Sequence, residues 1–258
     1  MLTFIGLGLQ KDGIPLAGLR EAQGADAIYM ELYTSVLPNF DIKELEQKIG
    51  KSIKVVNREM VEQTPDEILK SAKKGKVAFL VPGDPMVATT HVDLRLRAAK
   101  AGIKTKIVHA ASIASAAAGL AGLQSYKFGR SATVSFPDNP SQTPYDVLME
   151  NKACGLHTLL LLDIRAEEGR AMTANEAIEI ILKLEEKLKK KVFTPETIVV
   201  VVARAGSDDA IIKAAEVAKL SKLDFGSPPH VLIVPGKLHF MEAEALKMFA
   251  GAPGEVVK

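Results

Sequence analysis

The chain has 258 residues, enough for one large domain or two small ones, and its hydrophobic content of 47% supports a full core. Charged residues make up 25% and the net charge is +2, so composition gives no global case for binding nucleic acid or a membrane. The single Cys154, which reads as a core or near-core residue, excludes an internal disulfide framework and any multi-cysteine metal site.

Met1-Leu2-Thr3-Phe4-Ile5 lacks a basic leader and enters a strand pattern directly, so it does not read as a signal peptide. No apolar run approaches the roughly 20 residues that span a bilayer. A cytoplasmic setting is expected. From there strands and helices alternate along the whole chain. Residues 2–5 read as a strand ending at Gly6-Leu7-Gly8-Leu9, 16–22 as a helix, 27–31 as a second strand and 41–49 as a helix. Thr64-Pro65-Asp66-Glu67 predicts a helix start, with an N-cap threonine, proline at the first helical position and glutamate two residues on. Residues 77–81 form an apolar run that stops at Pro82-Gly83-Asp84-Pro85, a sequence that continues neither strand nor helix. Helical spacing resumes near Val87 and runs through Leu94, Leu96 and Ala99. A strand at 105–109 follows, then a helix of small residues at 112–123 and an extended stretch at 132–136.

Pro137-Asp138-Asn139-Pro140-Ser141 breaks both periodicities and predicts a domain boundary. The expected lobes are 1–136, which carries the Gly-x-Gly and Pro-Gly-Asp-Pro turns, and 137–258. The second lobe is expected to hold a helix at 145–151 and a strand at 158–164. Thr173-Ala174-Asn175-Glu176 is a capping box for a helix to about residue 190, whose lysine-rich end reads as a solvated terminus. Strands at 198–203 and 231–234 and helices at 210–220 and 241–249 complete the pattern. The restart after residue 137 favours two α/β lobes over one doubly wound sheet.

The chemical motifs exclude more than they assign. Gly6-Leu7-Gly8 follows a strand, but Lys11 stands where a dinucleotide fingerprint needs its third glycine. There is no phosphate-binding P-loop. The five histidines lack metal-ligand spacing, which argues against metal chemistry, and each reads as structural. Ser207 lacks a nucleophile elbow and reads as a helix N-cap. What remains are small or apolar loops at strand ends, with Asp84 at the mouth of the strand that ends at residue 81. Such a setting is poor for acid–base catalysis, and no residue stands out as a catalytic base. It suits an adenosyl group held by backbone amides and carbonyls between apolar side chains. S-adenosylmethionine needs alignment more than acid–base help, because its sulfonium is already an activated methyl donor.

At this point the chain resembles the tetrapyrrole methylase-like superfamily, through Gly6-Leu7-Gly8-Leu9 and Pro82-Gly83-Asp84-Pro85. Within it the chain is similar to the diphthine synthase branch, through Glu31-Leu32-Tyr33-Thr34-Ser35, Ala88-Thr89-Thr90-His91, His109-Ala110-Ala111-Ser112-Ile113 and Leu161-Leu162-Asp163-Ile164. Leu32, where the branch usually has tyrosine, and Ile14-Pro15-Leu16-Ala17 depart from its pattern. The resemblance implies two α/β lobes with the cofactor in the cleft between them, in a homodimer. It implies methyl transfer from S-adenosylmethionine to the 3-amino-3-carboxypropyl-histidine of translation elongation factor 2, in diphthamide biosynthesis. By position it implies cofactor contacts at Leu9, Asp84, Val87, Ser112, Ile113, Ile164, Ala205 and Leu232, and substrate contacts at Glu31 and Tyr33. Two alternatives stay open: a cobalamin-precursor or ribosomal RNA methyltransferase of the same superfamily, and a non-catalytic module that binds an adenosyl ligand.

Overall fold

The computed structural model describes residues 1–254. The chain divides into two compact units, Met1–Ile113 with Ala166–Glu168, and Ala114–Arg165 with Gly169–Lys258. The first is built on β1 (Leu2–Gly6), β2 (Ala27–Glu31), β3 (Lys54–Val56), β4 (Val77–Val81) and β5 (Thr105–Val108). All neighbouring strands are parallel, in the order β3-β2-β4-β1-β5. Helices α1 (Leu16–Gln23), α2 (Ile42–Ile49), α3 (Arg58–Glu62), α4 (Asp66–Lys74) and α5 (His91–Lys100) make the connections.

Parallel strands covered on both faces read as continuous apolar runs, and β4 shows why. Val77, Phe79 and Val81 face one core with Phe4, Ile68 and Leu94. Ala78 and Leu80 face the other with Ile5, Met30 and Leu45. Because every strand runs the same way, the loops after β1, β2, β4 and β5 leave at one edge of the sheet.

The second unit contains α6 (Ile113–Ala121, whose first residue is counted with the first unit), β6 (Ala132–Val134), α7 (Thr143–Ala153), β7 (Thr158–Leu162), β8 (Ile164–Arg165) and β9 (Arg170–Ala171). It continues with α8 (Ala174–Leu188), β10 (Ile198–Ala203), β11 (Ile211–Glu216), α9 (Val217–Leu220), β12 (His230–Val234) and α10 (Phe240–Ala250). Its main sheet runs β11-β10-β12-β7-β6, antiparallel except for the β6–β7 pair. Strands β8 and β9 form a separate antiparallel hairpin.

Several sequence expectations are corrected here. The division between units falls at residues 113–114 rather than 136–137, because β6 pairs with β7 and so belongs to the second sheet. The proline-rich stretch at 137–141 is a loop inside that unit, between β6 and α7. The helix expected at 210–220 is mostly strand: β11 pairs with β10 along six residues, and only Val217–Leu220 is helical. Ser207 therefore caps no helix, and its hydroxyl donates instead to the Arg204 carbonyl at 2.7 Å and to Asp209 Oδ1 at 2.6 Å. Thr64 makes no cap either; its hydroxyl reaches back to the Glu59 carbonyl, and α4 starts without a side-chain cap. The capping box at Thr173 is present as read. Helix α5 begins at His91, four residues beyond Val87, because Ala88 lies at φ 56 and cannot continue a right-handed helix. Cys154 is exposed at the end of α7 rather than in a core. β3 and α3 went unread, being too short to show a period.

A buried polar knot fastens the second unit. The Glu242 carboxylate accepts hydrogen bonds from the backbone N–H of Gln124 at 2.9 Å and of His239 at 2.8 Å, from His157 Nε2 at 2.9 Å, and from the Lys127 ammonium. His157 Nδ1 accepts from the Gly236 N–H at 2.9 Å, so its proton sits on Nε2. Burial alone would raise the Glu242 pKa, but these donors together hold it down at about 2. Glu242→Ala is expected to cost about 3–5 kcal/mol, since it leaves a cation and several donors without their partner. Urea unfolding measures this. The gap from wild type should close as pH falls from 4.5 through about 2, because a group with a depressed folded pKa loses its contribution there.

Candidate functional site at the mouth of the parallel sheet

The loops after β1, β4 and β5 are bound to one another. Leu7 N–H donates to the Val81 carbonyl at 2.8 Å, Gly83 N–H to the Gly8 carbonyl at 2.8 Å, and Gly8 N–H to the Gly83 carbonyl at 3.2 Å. Gly6 ends β1 beneath this junction. A Cβ there would lie 2.5 Å from the Gly83 oxygen and 2.7 Å from the Ala110 Cβ, so no other residue fits. Gly8 and Gly83 both adopt φ 72, in the left-handed region.

Asp84 locks the junction. Its carboxylate is 5% exposed and accepts three hydrogen bonds. Oδ1 takes the Met86 N–H at 2.9 Å, which fixes the acidic turn itself. Oδ2 reaches over the end of β1 to the loop after β5, where it takes His109 Nδ1 at 2.8 Å and the Ala110 N–H at 3.2 Å.

Five of the expected cofactor contacts gather in these loops. Leu9 is half-buried, Val87 is exposed, Ser112 is buried and Ile113 is half-buried at the start of α6, with Asp84 among them. The other three lie in the second unit. Ile164 opens β8, Ala205 is buried just after β10, and Leu232 sits inside β12. The Leu232 side chain is fully buried in the unit's core, and the residue is paired with β10 on one side and β7 on the other.

A second polar cluster sits at the end of β2. Glu31 is fully buried and accepts from Tyr33 N–H at 2.9 Å, from Thr34 N–H at 3.0 Å and from the Thr34 hydroxyl. His91, also fully buried, places Nδ1 3.1 Å from the Pro85 carbonyl, which requires a proton on that nitrogen. Its Nε2 faces the Tyr33 hydroxyl at 3.5 Å and Glu31 Oε1 at 3.8 Å. Burial holds the His91 pKa down, so the ring is neutral. Burial also pushes Glu31 up to about 7, against the pull of the Thr34 hydroxyl, the two N–H donors and Arg58. The Arg58 guanidinium lies 5.1 Å over the Tyr33 ring. Glu31 and Tyr33, expected to meet the substrate, therefore point inward. Their polar groups hold the loop after β2 and, through His91, tie it to the acidic turn.

The family model of the Tetrapyrrole (Corrin/Porphyrin) Methylases matches residues 1–221. The chain belongs to this family. Among its relatives, the diphthine synthase of Methanocella arvoryzae is 51% identical over 256 residues, spanning 97% of this chain and 98% of the relative. That of Methanothermobacter thermautotrophicus is 46% identical, spanning 100% and 98%. A diphthine synthase crystal structure superimposes with a TM-score of 0.91 at 42% identity, spanning 99% of this chain and 98% of that one. This methylase is a methyltransferase, with the α/β architecture of those structures.

Sequence reading missed the two histidine contacts of the site. The Glu31 neighbour of His91 and the Asp84 partner of His109 stand 60 and 25 residues away, so no local spacing announces them. Among the described residues no group of three or more metal-ligating side chains comes together.

Glu31 carries a pH signature. Between its unfolded value of 4.5 and its folded value of about 7, the folded state holds the proton more tightly. Its contribution to stability therefore falls as pH rises through that window. Glu31→Gln, which keeps a carbonyl acceptor, is expected to remove this component. The difference in urea midpoint between variant and wild type should move in the variant's favour from pH 5 to pH 8. A difference that stays constant would show that Glu31 is ionised throughout.

Proposed function

We propose that this methyltransferase carries out the diphthine synthase reaction: methyl transfer from S-adenosylmethionine to the amine of the 3-amino-3-carboxypropyl arm on the modified histidine of elongation factor 2. The observation that carries the reading is the 46–51% identity, over nearly the full length of both chains, to relatives named diphthine synthase. The same relatives speak against a cobalamin-precursor or ribosomal RNA substrate. The proposed setting is the cytoplasm, as a homodimer; among the described residues no helix is long and apolar enough to cross a membrane.

When bound, S-adenosylmethionine supplies a methyl group already activated on a sulfonium. The protein's task is then alignment, and the locked junction of the loops after β1, β4 and β5 suits it. Rigid turns set in advance the geometry that a flexible site would have to order at each turnover. We assign the donor contacts of the first unit to Leu9, Asp84, Val87, Ser112 and Ile113. Within the second unit the contacts that we assign are Ile164, Ala205 and Leu232. Asp84 acts chiefly by holding the acidic turn and the Ala110 loop in register, since its carboxylate is already bonded to both.

Labelled S-adenosylmethionine is expected to transfer its methyl group to elongation factor 2 bearing the arm, and to neither tetrapyrrole precursors nor ribosomal RNA. Label in either of those instead would reassign the substrate. Light scattering reads the oligomeric state. Asp84→Ala unfastens the acidic turn from the Ala110 loop, at a loss of about 1.5–3 kcal/mol for a charged acceptor, so S-adenosylhomocysteine should bind the loosened loops roughly ten- to a hundredfold more weakly. Calorimetric titration of a folded variant with unchanged affinity would remove Asp84 from the donor site.

A further inference from the structure

We propose that His109 is the catalytic base of the reaction, oriented by Asp84, and that it takes the proton from the acceptor ammonium; this rests on the proposed diphthine synthase reaction. The arm's amine sits on a carbon that bears a free carboxylate, which makes it at least as basic as a peptide N-terminus, so at neutral pH it is mostly ammonium. An ammonium has no lone pair and cannot attack a methyl group. Some group must take its proton.

His109 has the geometry of such a group. It is the first residue after β5, at the sheet edge where the junction of loops lies. A carboxylate oxygen only accepts, so the 2.8 Å contact with Asp84 Oδ2 puts the ring proton on Nδ1. The lone pair of the neutral ring then lies on Nε2. Its side chain is 69% exposed, whereas Asp84 is 5% exposed. A buried carboxylate thus orients an accessible imidazole, the arrangement of a positioned general base. Asp84 is itself fixed by Met86 N–H, and the Ala110 N–H on the same Oδ2 fixes the backbone beside His109. Gly6 leaves room for Gly83 and Ala110, the residues that adjoin Asp84 and His109 in the chain.

The other histidines are placed differently. His91, His157 and His230 are buried with both ring nitrogens engaged by protein groups. His239 Nδ1 caps α10. Glu31 is fully buried with its oxygens bonded to the loop it holds.

In the proposed step His109 Nε2 accepts a proton from the arm's ammonium, giving imidazolium and a free amine. The amine lone pair forms the N–C bond while the methyl C–S bond breaks, and that bond's electrons return to sulfur as the neutral thioether S-adenosylhomocysteine. The methylated nitrogen is again cationic. The imidazolium releases its proton to solvent, and the ring can then take the next proton while the nitrogen still carries one.

The test uses the full chain, S-adenosylmethionine and elongation factor 2 bearing the arm. His109→Gln is expected to lower kcat about a hundredfold at neutral pH, within the range for loss of a general base. Its S-adenosylhomocysteine affinity should match wild type. Its rate should recover as pH rises and the amine deprotonates unaided, and added imidazole should restore His109→Ala. A His109→Gln enzyme with wild-type kcat and pH profile overturns the assignment. So does a variant whose cofactor affinity falls in parallel with its rate and which imidazole does not restore, because His109 would then be a structural member of the donor site. A wild-type protein that transfers no methyl group to elongation factor 2 overturns the reaction itself, and the wild-type arm alone reveals it.

Discussion

The structure of the site depends on one close approach. β1 lies between β4 and β5, so Asp84, which follows β4, can reach the loop after β5 only by crossing the end of β1. Gly6 permits the crossing because it has no Cβ to meet the Gly83 oxygen and Ala110. Three loops from distant parts of the chain thereby become one rigid body, with Asp84 donated to from two of them. A larger residue at Gly6 would push apart the β4 and β5 loops together, so the cost would fall on the whole mouth of the sheet rather than on one contact.

Two buried glutamates show how burial and hydrogen-bonding neighbours together set the state of an acid. Glu242 and Glu31 are 1% and 0% exposed, and each accepts two backbone N–H bonds. Glu242 also receives the Lys127 ammonium and the His157 N–H, and it is held at about 2. At Glu31 burial outweighs the Thr34 hydroxyl, the two N–H donors and the more distant Arg58, and pushes it to about 7. The first is a permanently charged fastener. The second changes its charge within the working range of a cell and sits next to the turn that Asp84 controls.

Much of the architecture was legible in the sequence because its signals are local. The β1, β2, β4 and β10 runs, the capping box at Thr173 and the strand-ending Pro-Gly-Asp-Pro turn all stand where the pattern puts them. Two of the misreadings share one cause, a strand partner outside the window over which periodicity is read. Ala210-Ile211-Ile212-Lys213-Ala214-Ala215 has good helix formers, but β10 has an edge to pair, and the ladder along β11 overrides propensity. The proline-rich loop at 137–141 looked like a linker, but strand pairing decides membership of a unit, and β6 pairs on the far side of that loop.

By itself the sequence determined the alternation of strands and helices, the acidic turn at the mouth of β4 and the family, because each is written in contiguous residues or in their periodicity. It also gathered Leu9, Asp84, Val87, Ser112 and Ile113 as members of strand-end loops. Only the tertiary structure decided what those loops do to one another. The Asp84–His109 contact, the inward turn of Glu31 and Tyr33, and the full burial of Leu232 all depend on which strands are neighbours. Strand order is set by the packing of two cores at once, and a chain read one residue at a time holds no record of it.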